Sequence, residues 1–182
     1  MRTIPFPAGI YVPDFAEHGE VERIDRDLSL AEWMPALVGR FSAEGLSGTR
    51  HDPAVSTAIV TKRFLSPAIE STQLRSRITT VVLTRFHLER VRLSEYSFSR
   101  YLHGASLALH ADSGVYNTRR LVTCLLYLGE RFDGGEISFP EVGVEIRPRP
   151  GSLLCFYSEL RHEVHTVRNG SRTVLVMFAE AD

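Results

Sequence analysis

Cysteine is scarce. Cys124 and Cys155 are the only two. Both lie in apolar stretches, so no disulfide framework can be drawn from them. Buried, reduced thiols in a cytoplasmic protein are the expectation. An excess of one charge sign is also lacking. The 21 Lys and Arg against 22 Asp and Glu leave a formal charge of -1, which excludes an overall pull toward nucleic acid or anionic membrane. The late arginines Arg147, Arg149, Arg161, Arg168 and Arg172 read as a solvated face, with a local basic binding patch as the lesser alternative. No apolar run reaches the length of a membrane span. The opening residues, MRTIPFPAGIYVPDF, are broken by prolines and hold no apolar core of signal-peptide length. Internal repeats and low-complexity tails are absent as well. At 182 residues, one domain spanning 1–182 is expected, long enough for a real core.

What is present falls into two halves. Up to about residue 90 the pattern reads as helical. Ser29 and Glu32 form a capping box that would open a helix through AEWMPALVGRF, with Pro35 kinking it. Ser66 and Pro67 mark a second start, and Ile69, Leu74, Ile78, Val81, Val82 and Phe86 follow helical spacing toward Leu88. Between them, residues 42–58 are small and polar and read as a mobile loop. From Val91 on, VRLSEYSFSRY, LVTCLLYL, VEIRP, SLLCFYS and TVLVMF signal strands, punctuated by Gly134-Gly135, Pro148, Pro150-Gly151 and Asn169-Gly170. LVTCLLYL is apolar at almost every position, as in a strand covered on both faces. Short strands with frequent turns favour a sandwich or barrel, flanked here by helices.

The chemistry-bearing residues sit in the second half. His110 and Asp112 are two apart, so an extended segment turns both to one face. With a distant His they have the composition of the two-histidine, one-carboxylate triad that holds iron(II) and leaves positions open. His162 and His165 both offer the second imidazole. Arg172 bears on the choice. If Asn169-Gly170-Ser171 is a three-residue hairpin loop, Arg168 pairs with Arg172, and Arg172 faces the same side as His162. The two then stand roughly 20 Å apart at ~3.3 Å per residue. That matches an imidazole, an ion, a five-carbon diacid and an arginine stem laid end to end, and His162 is therefore favoured. His18, His51, His87 and His103 have no ligand-like spacing.

The segments YLHGASLALHAD, RRLVTCLLYLGERFDGGEISFP and PGSLLCFYSELRHEVHTVRNGSRTVLVMF, in that order and spacing, resemble the iron(II)- and 2-oxoglutarate-dependent dioxygenases of the prolyl 4-hydroxylase-like branch. The likeness covers Val91 to Ala179. It implies a double-stranded β-helix, that is, a jelly roll or cupin-like core over 91–182, with 1–90 as helical support and lid. It implies iron(II) held by His110, Asp112 and His162, and 2-oxoglutarate and O2 as co-substrates. It places Arg172 on the distal carboxylate of 2-oxoglutarate with Tyr127 and, nearby, Tyr101. Arg120 would be a substrate contact at the mouth. Asp112 argues against halogenating relatives, which need a small residue there. The activity implied is hydroxylation of an unactivated C–H bond of an amino acid, small metabolite or peptidyl proline. Two other readings stay open: a non-catalytic metal-binding jelly roll or sensor, and a zinc or manganese cupin, for which extra ligands near the first pair are lacking.

Overall fold

The computed structural model describes residues 2–42, 45–61, 64–70, 73–114 and 117–181. The chain opens with β1 (Ile4–Phe6) and β2 (Gly9–Val12), followed by α1 (His18–Leu28), β3 (Trp33–Pro35), β4 (Leu37–Ser42), β5 (Gly45–His51), β6 (Ile59–Thr61), α2 (Pro67–Glu70) and α3 (Leu74–Phe86). Then come β7 (Arg92–Leu93), β8 (Ser97–Tyr101), β9 (Leu107–His110), β10 (Arg120–Leu128), β11 (Asp133–Gly134), β12 (Ile137–Phe139), β13 (Val144–Ile146), β14 (Leu153–Tyr157), β15 (His162–Val164), β16 (Val167–Asn169) and β17 (Arg172–Glu180).

A large antiparallel sheet runs β1-β2-β14-β10-β17-β8-β6-β3, with β7 also on β17. A smaller one runs β13-β12-β15-β9. This is the mixed, mainly antiparallel jelly-roll architecture. The period of two in each central strand makes two cores from one sheet. On β10, Val122, Cys124, Leu126 and Leu128 face outward and pack with Leu153, Cys155, Leu175 and Met177 against the helices. Leu125 and Tyr127 face inward and pack with Leu154, Phe156, Val174, Ile137, Phe139 and Val164 between the sheets. This explains why LVTCLLYL is apolar almost throughout. Cys124 and Cys155 are free and buried directly opposite each other on β10 and β14.

The helices lie on the outer face. α1 buries Val21, Ile24 and Leu28, and α3 buries Leu74, Ile78, Val82 and Phe86. Ser66 does cap α2, with the Ile69 N–H donating to its hydroxyl at 3.4 Å. The single helix expected to run on from there is two helices. The join at 71–72 lies outside the described residues. α3 stops at Phe86, where His87 turns left-handed at φ 53.

The first half is not mainly helical. β1 and β2 extend the large sheet, and no helix opens at Ser29. Ser29 closes α1 instead: its N–H and hydroxyl both donate to the Arg26 carbonyl. The capping box sits at Glu17 and Glu20. Glu32 and its neighbours lead into β3, where Pro35 is tolerated on the edge of the sheet. Residues 42–58 are not simply a loop, since β4 and β5 pair along most of their length. Asn169-Gly170 is not a hairpin either. β16 pairs with β11, while β17 crosses to the large sheet beside β10 and β8. Among the described residues no helix is long and apolar enough to cross a membrane.

Candidate metal centre

β9 and β15 are antiparallel neighbours, and their register sets His110 opposite His162. The two rings lie 4.3 Å apart between centroids. Each imidazole is held by its Nδ1. His110 Nδ1 is 2.9 Å from the Ala108 carbonyl, and His162 Nδ1 is 3.0 Å from the Leu160 carbonyl. A carbonyl only accepts, so both Nδ1 atoms carry a hydrogen, which turns both Nε2 atoms toward the interior. Asp112 follows directly after β9 and completes the set. Its Oδ1 is 3.5 Å from His110 Nε2 and its Oδ2 3.6 Å from His162 Nε2. One ligand atom from each of the three lies within 4.8 Å of the others. This is a two-histidine, one-carboxylate metal-binding triad.

The protonation states suit a divalent ion. Burial dominates at His162 and holds its pKa at about 4, so the ring is neutral near pH 7. At His110 burial alone would lower the pKa, but the hydrogen bond and charge of Asp112 outweigh it and raise it above the usual value. Asp112 is held below the ordinary carboxylate range: burial is overcome by the hydrogen bond from His110, the two imidazoles and Thr123. A metal ion therefore competes with a proton more strongly at His110 than at His162. Affinity is expected to rise with pH until His110, whose pKa lies above its ordinary value, has lost its proton, and then to level off. Calorimetric titration of Mn(II) in buffers of different ionisation enthalpy counts the protons. Release of a second proton at neutral pH would contradict the assignment.

The other predicted residues form a second group in the same interior. Arg172 opens β17 opposite Tyr101 of β8 and is only 1% exposed. Its Nη2 donates to Tyr127 Oη at 3.2 Å. The guanidinium carbon lies 4.7 Å from the Tyr101 ring centre and 5.0 Å from that of Tyr127. Its Nε has no hydrogen-bond partner, and among the described residues no carboxylate pairs with it. A buried cation in that state is costly unless an anion joins it. Burial raises the pKa of both tyrosines against the pull of Arg172, so both keep their protons. Because Tyr127 Oη accepts from Arg172, its own hydrogen is free for an incoming acceptor.

One strand links the two groups. Thr123 and Tyr127 lie on the inner face of β10, four residues and about 13 Å apart at ~3.3 Å per residue. Thr123 Oγ1 touches Asp112 Oδ2 at 2.8 Å, and Tyr127 touches Arg172. An ion and a short diacid fit that interval. The hairpin expected at 169–171 does not form, and the spacing between the two groups comes from β10.

His165 stands apart, beside Glu145 and Glu163 at 3.5 and 3.6 Å. Arg120 is half-buried and has partners within the protein. Its Nη1 donates to the Asp112 carbonyl at 3.1 Å and its guanidinium stacks on Phe178. Sequence reasoning gave no role to Thr123, although its same-face spacing from Tyr127 was available. It also missed why two glycines precede Glu136. Gly134 and Gly135 have φ of +76 and +63, and a Cβ on Gly135 would sit 2.9 Å from Arg172 Cδ. Glycine there leaves the arginine stem its path. Gly135→Ala is expected to push the stem aside, costing about 1–3 kcal/mol of stability and weakening anion binding at Arg172. Chemical denaturation and dicarboxylate titration read the two effects.

Residues 96–180 match the 2OG-Fe(II) oxygenase superfamily. That segment is similar to the superfamily over a little under half of the chain. It is 26% identical over 185 residues to the probable prolyl 4-hydroxylase 9 of Arabidopsis thaliana, covering 86% of this chain and 62% of that one. It is 32% identical over 87 residues to a PKHD-type hydroxylase of Crocosphaera subtropica, covering 43% of this chain and 39% of that one. The chain thus spans under two thirds of the length of these relatives. Among solved structures, an oxidoreductase of the 2OG-Fe(II) oxygenase family from Burkholderia pseudomallei superposes with a TM-score of 0.73 at 21% identity, covering 95% of this chain and 85% of that one. The triad is of the type consistent with iron(II) and 2-oxoglutarate chemistry.

Proposed function

We propose that the protein is a hydroxylase in which His110, Asp112 and His162 hold iron(II), and Arg172, Tyr127 and Tyr101 receive the distal carboxylate of 2-oxoglutarate. The observation that carries this is the buried Arg172 guanidinium. It has an unpartnered Nε and shares an interior with the triad, close enough for its charge to act on His162. The donor set fits the ion: two imidazoles and one carboxylate suit iron(II) better than the all-oxygen sites of magnesium or calcium.

In this reading Arg172 offers its planar fork to the carboxylate. Tyr127 adds a neutral hydroxyl donor, and Tyr101 forms the apolar wall under the cation. The co-substrate is thereby fixed at its far end, with its oxo-acid end directed at the triad. Iron(II) with 2-oxoglutarate and O2 supplies an oxidant able to break an unactivated C–H bond, with succinate and CO2 as co-products. Phe139 and Phe156 pack on His162, at 6.0 and 4.6 Å between ring centres, and keep water from the back of the site. The whole chain acts as one dioxygenase domain, with residues 1–90 as support and lid. The free cysteines suit a reducing, cytoplasmic setting.

The substrate is an amino acid, a small metabolite or a peptidyl proline, and the relatives' names make proline the first to test. Succinate release that requires iron(II), 2-oxoglutarate and a member of an amino-acid, peptide or metabolite pool, together with a product heavier by one oxygen, supports the proposal. No turnover with any pool, despite metal and 2-oxoglutarate binding, would favour a non-catalytic binding module instead.

A further inference from the structure

Asp112 is gripped at three atoms beyond its contacts with the imidazoles. Its N–H donates to the Ser158 carbonyl at 2.9 Å, its carbonyl accepts from Arg120, and its Oδ2 accepts from Thr123 Oγ1 at 2.8 Å. The last contact has a fixed direction. A carboxylate only accepts, so the one hydroxyl hydrogen of Thr123 points at Oδ2. Thr123 Oγ1 also lies 3.0 Å from Ser158 Oγ. With its hydrogen already committed, Thr123 must accept there, and Ser158 donates. Ser158 to Thr123 to Asp112 is therefore a one-way chain. Both hydroxyl residues are fully buried, so bulk water does not compete for either. Thr123 is β-branched and sits in the middle of a strand, which restricts its rotamer.

We propose that Thr123, oriented by Ser158, is a positioning residue that restricts Asp112 to binding metal through a single oxygen. The idea rests on the metal centre proposed above. Both carboxylate oxygens are within reach of the imidazole Nε2 atoms, so backbone geometry does not choose between one-oxygen and two-oxygen binding. The hydrogen bond chooses: it keeps Oδ2 at the hydroxyl and leaves Oδ1 for the ion. A carboxylate free at both oxygens can bind a cation through both. That would close a position which a triad site must keep open. The role of Thr123 is thus to preserve an open position, rather than simply to strengthen binding.

Water-proton relaxation of bound Mn(II), measured without 2-oxoglutarate, reads the number of open positions directly. Thr123→Val is expected to lose roughly one third of the relaxivity per bound ion, as one of about three water positions closes. Thr123→Ser, which keeps the hydroxyl, should restore it. Ser158→Ala frees the Thr123 hydrogen to rotate away and should give an intermediate value. A merely structural role would lower the amount of bound ion and leave the relaxivity per ion unchanged. Equal relaxivity per ion in Thr123→Val and wild type overturns the proposal, as does a full loss in Thr123→Ser. If circular dichroism shows Thr123→Val unfolded, Ser158→Ala decides, and equality with wild type overturns the chain. A wild-type protein that binds no Mn(II) in a one-to-one ratio would instead remove the metal centre itself, and this proposal with it.

Discussion

Arg172→Met is expected to raise the Kd for 2-oxoglutarate at least about a hundredfold while making the ligand-free protein more stable. The two effects have one cause. The guanidinium is 1% exposed, donates to Tyr127, and has an orphaned Nε. Bound to a carboxylate, it makes charge-assisted hydrogen bonds of about 1.5–3 kcal/mol each, and losing two of them accounts for the affinity change. Without the anion it is a buried charge lacking a counterion among the described residues. Replacing it by an apolar side chain of similar reach should then stabilise by about 1–4 kcal/mol. Thermal unfolding with and without 2-oxoglutarate separates the terms. The wild type should melt higher with ligand, and the variant should melt at one higher temperature regardless of ligand. A variant that still responds to 2-oxoglutarate, or that melts well below the ligand-free wild type, would show that Arg172 is an ordinary core residue.

Asp112→Ala should abolish function through the other end of the cavity. It removes the only anionic member of the triad and leaves two neutral imidazoles 4.3 Å apart. Changes one layer outside a metal site typically cost 10–100-fold in affinity or activity, so removing a ligand should exceed about a hundredfold and take succinate formation below detection. The affinity for Mn(II) and iron-dependent turnover measure it. His165→Ala is the matched control. That ring sits with Glu145 and Glu163, so metal affinity should not change. A drop in His165→Ala equal to that in Asp112→Ala would overturn the choice of His162. These variants differ from Thr123→Val, which should keep the ion and change only its open positions.

The fold was partly legible. β10, β14 and β17 were readable because a strand covered on both faces needs apolar residues at nearly every position, and Gly-Pro punctuation bounds them. The first half was misread where local signals are degenerate. Ser29 and Glu32 have capping-box spacing, but a serine at the end of a helix can equally donate to the preceding turn, as Ser29 does to Arg26. The strands β1, β2, β3 and β6 are three or four residues long, too short to show a period. They exist because the large sheet offers edges for them to pair with. Asn169-Gly170 is the usual hairpin pair, yet here it carries the chain from one sheet to the other.

The sequence by itself determined the chemical inventory: an HxD pair, a later histidine, an arginine ten residues on, and two tyrosines in strand-like segments. Residue type and short-range period suffice for that, because side-chain direction along a strand is a local property. Only the tertiary structure decided how these groups meet. The register of β9 with β15 set His110 against His162, and the inner face of β10 fixed the interval between Asp112 and Arg172. The paired glycines before Glu136 cleared a path for the arginine stem. Arg120 and Thr123 were assigned to Asp112 in the same way. Strand register and sheet crossing depend on contacts between residues dozens of positions apart, and no local pattern in the chain encodes them.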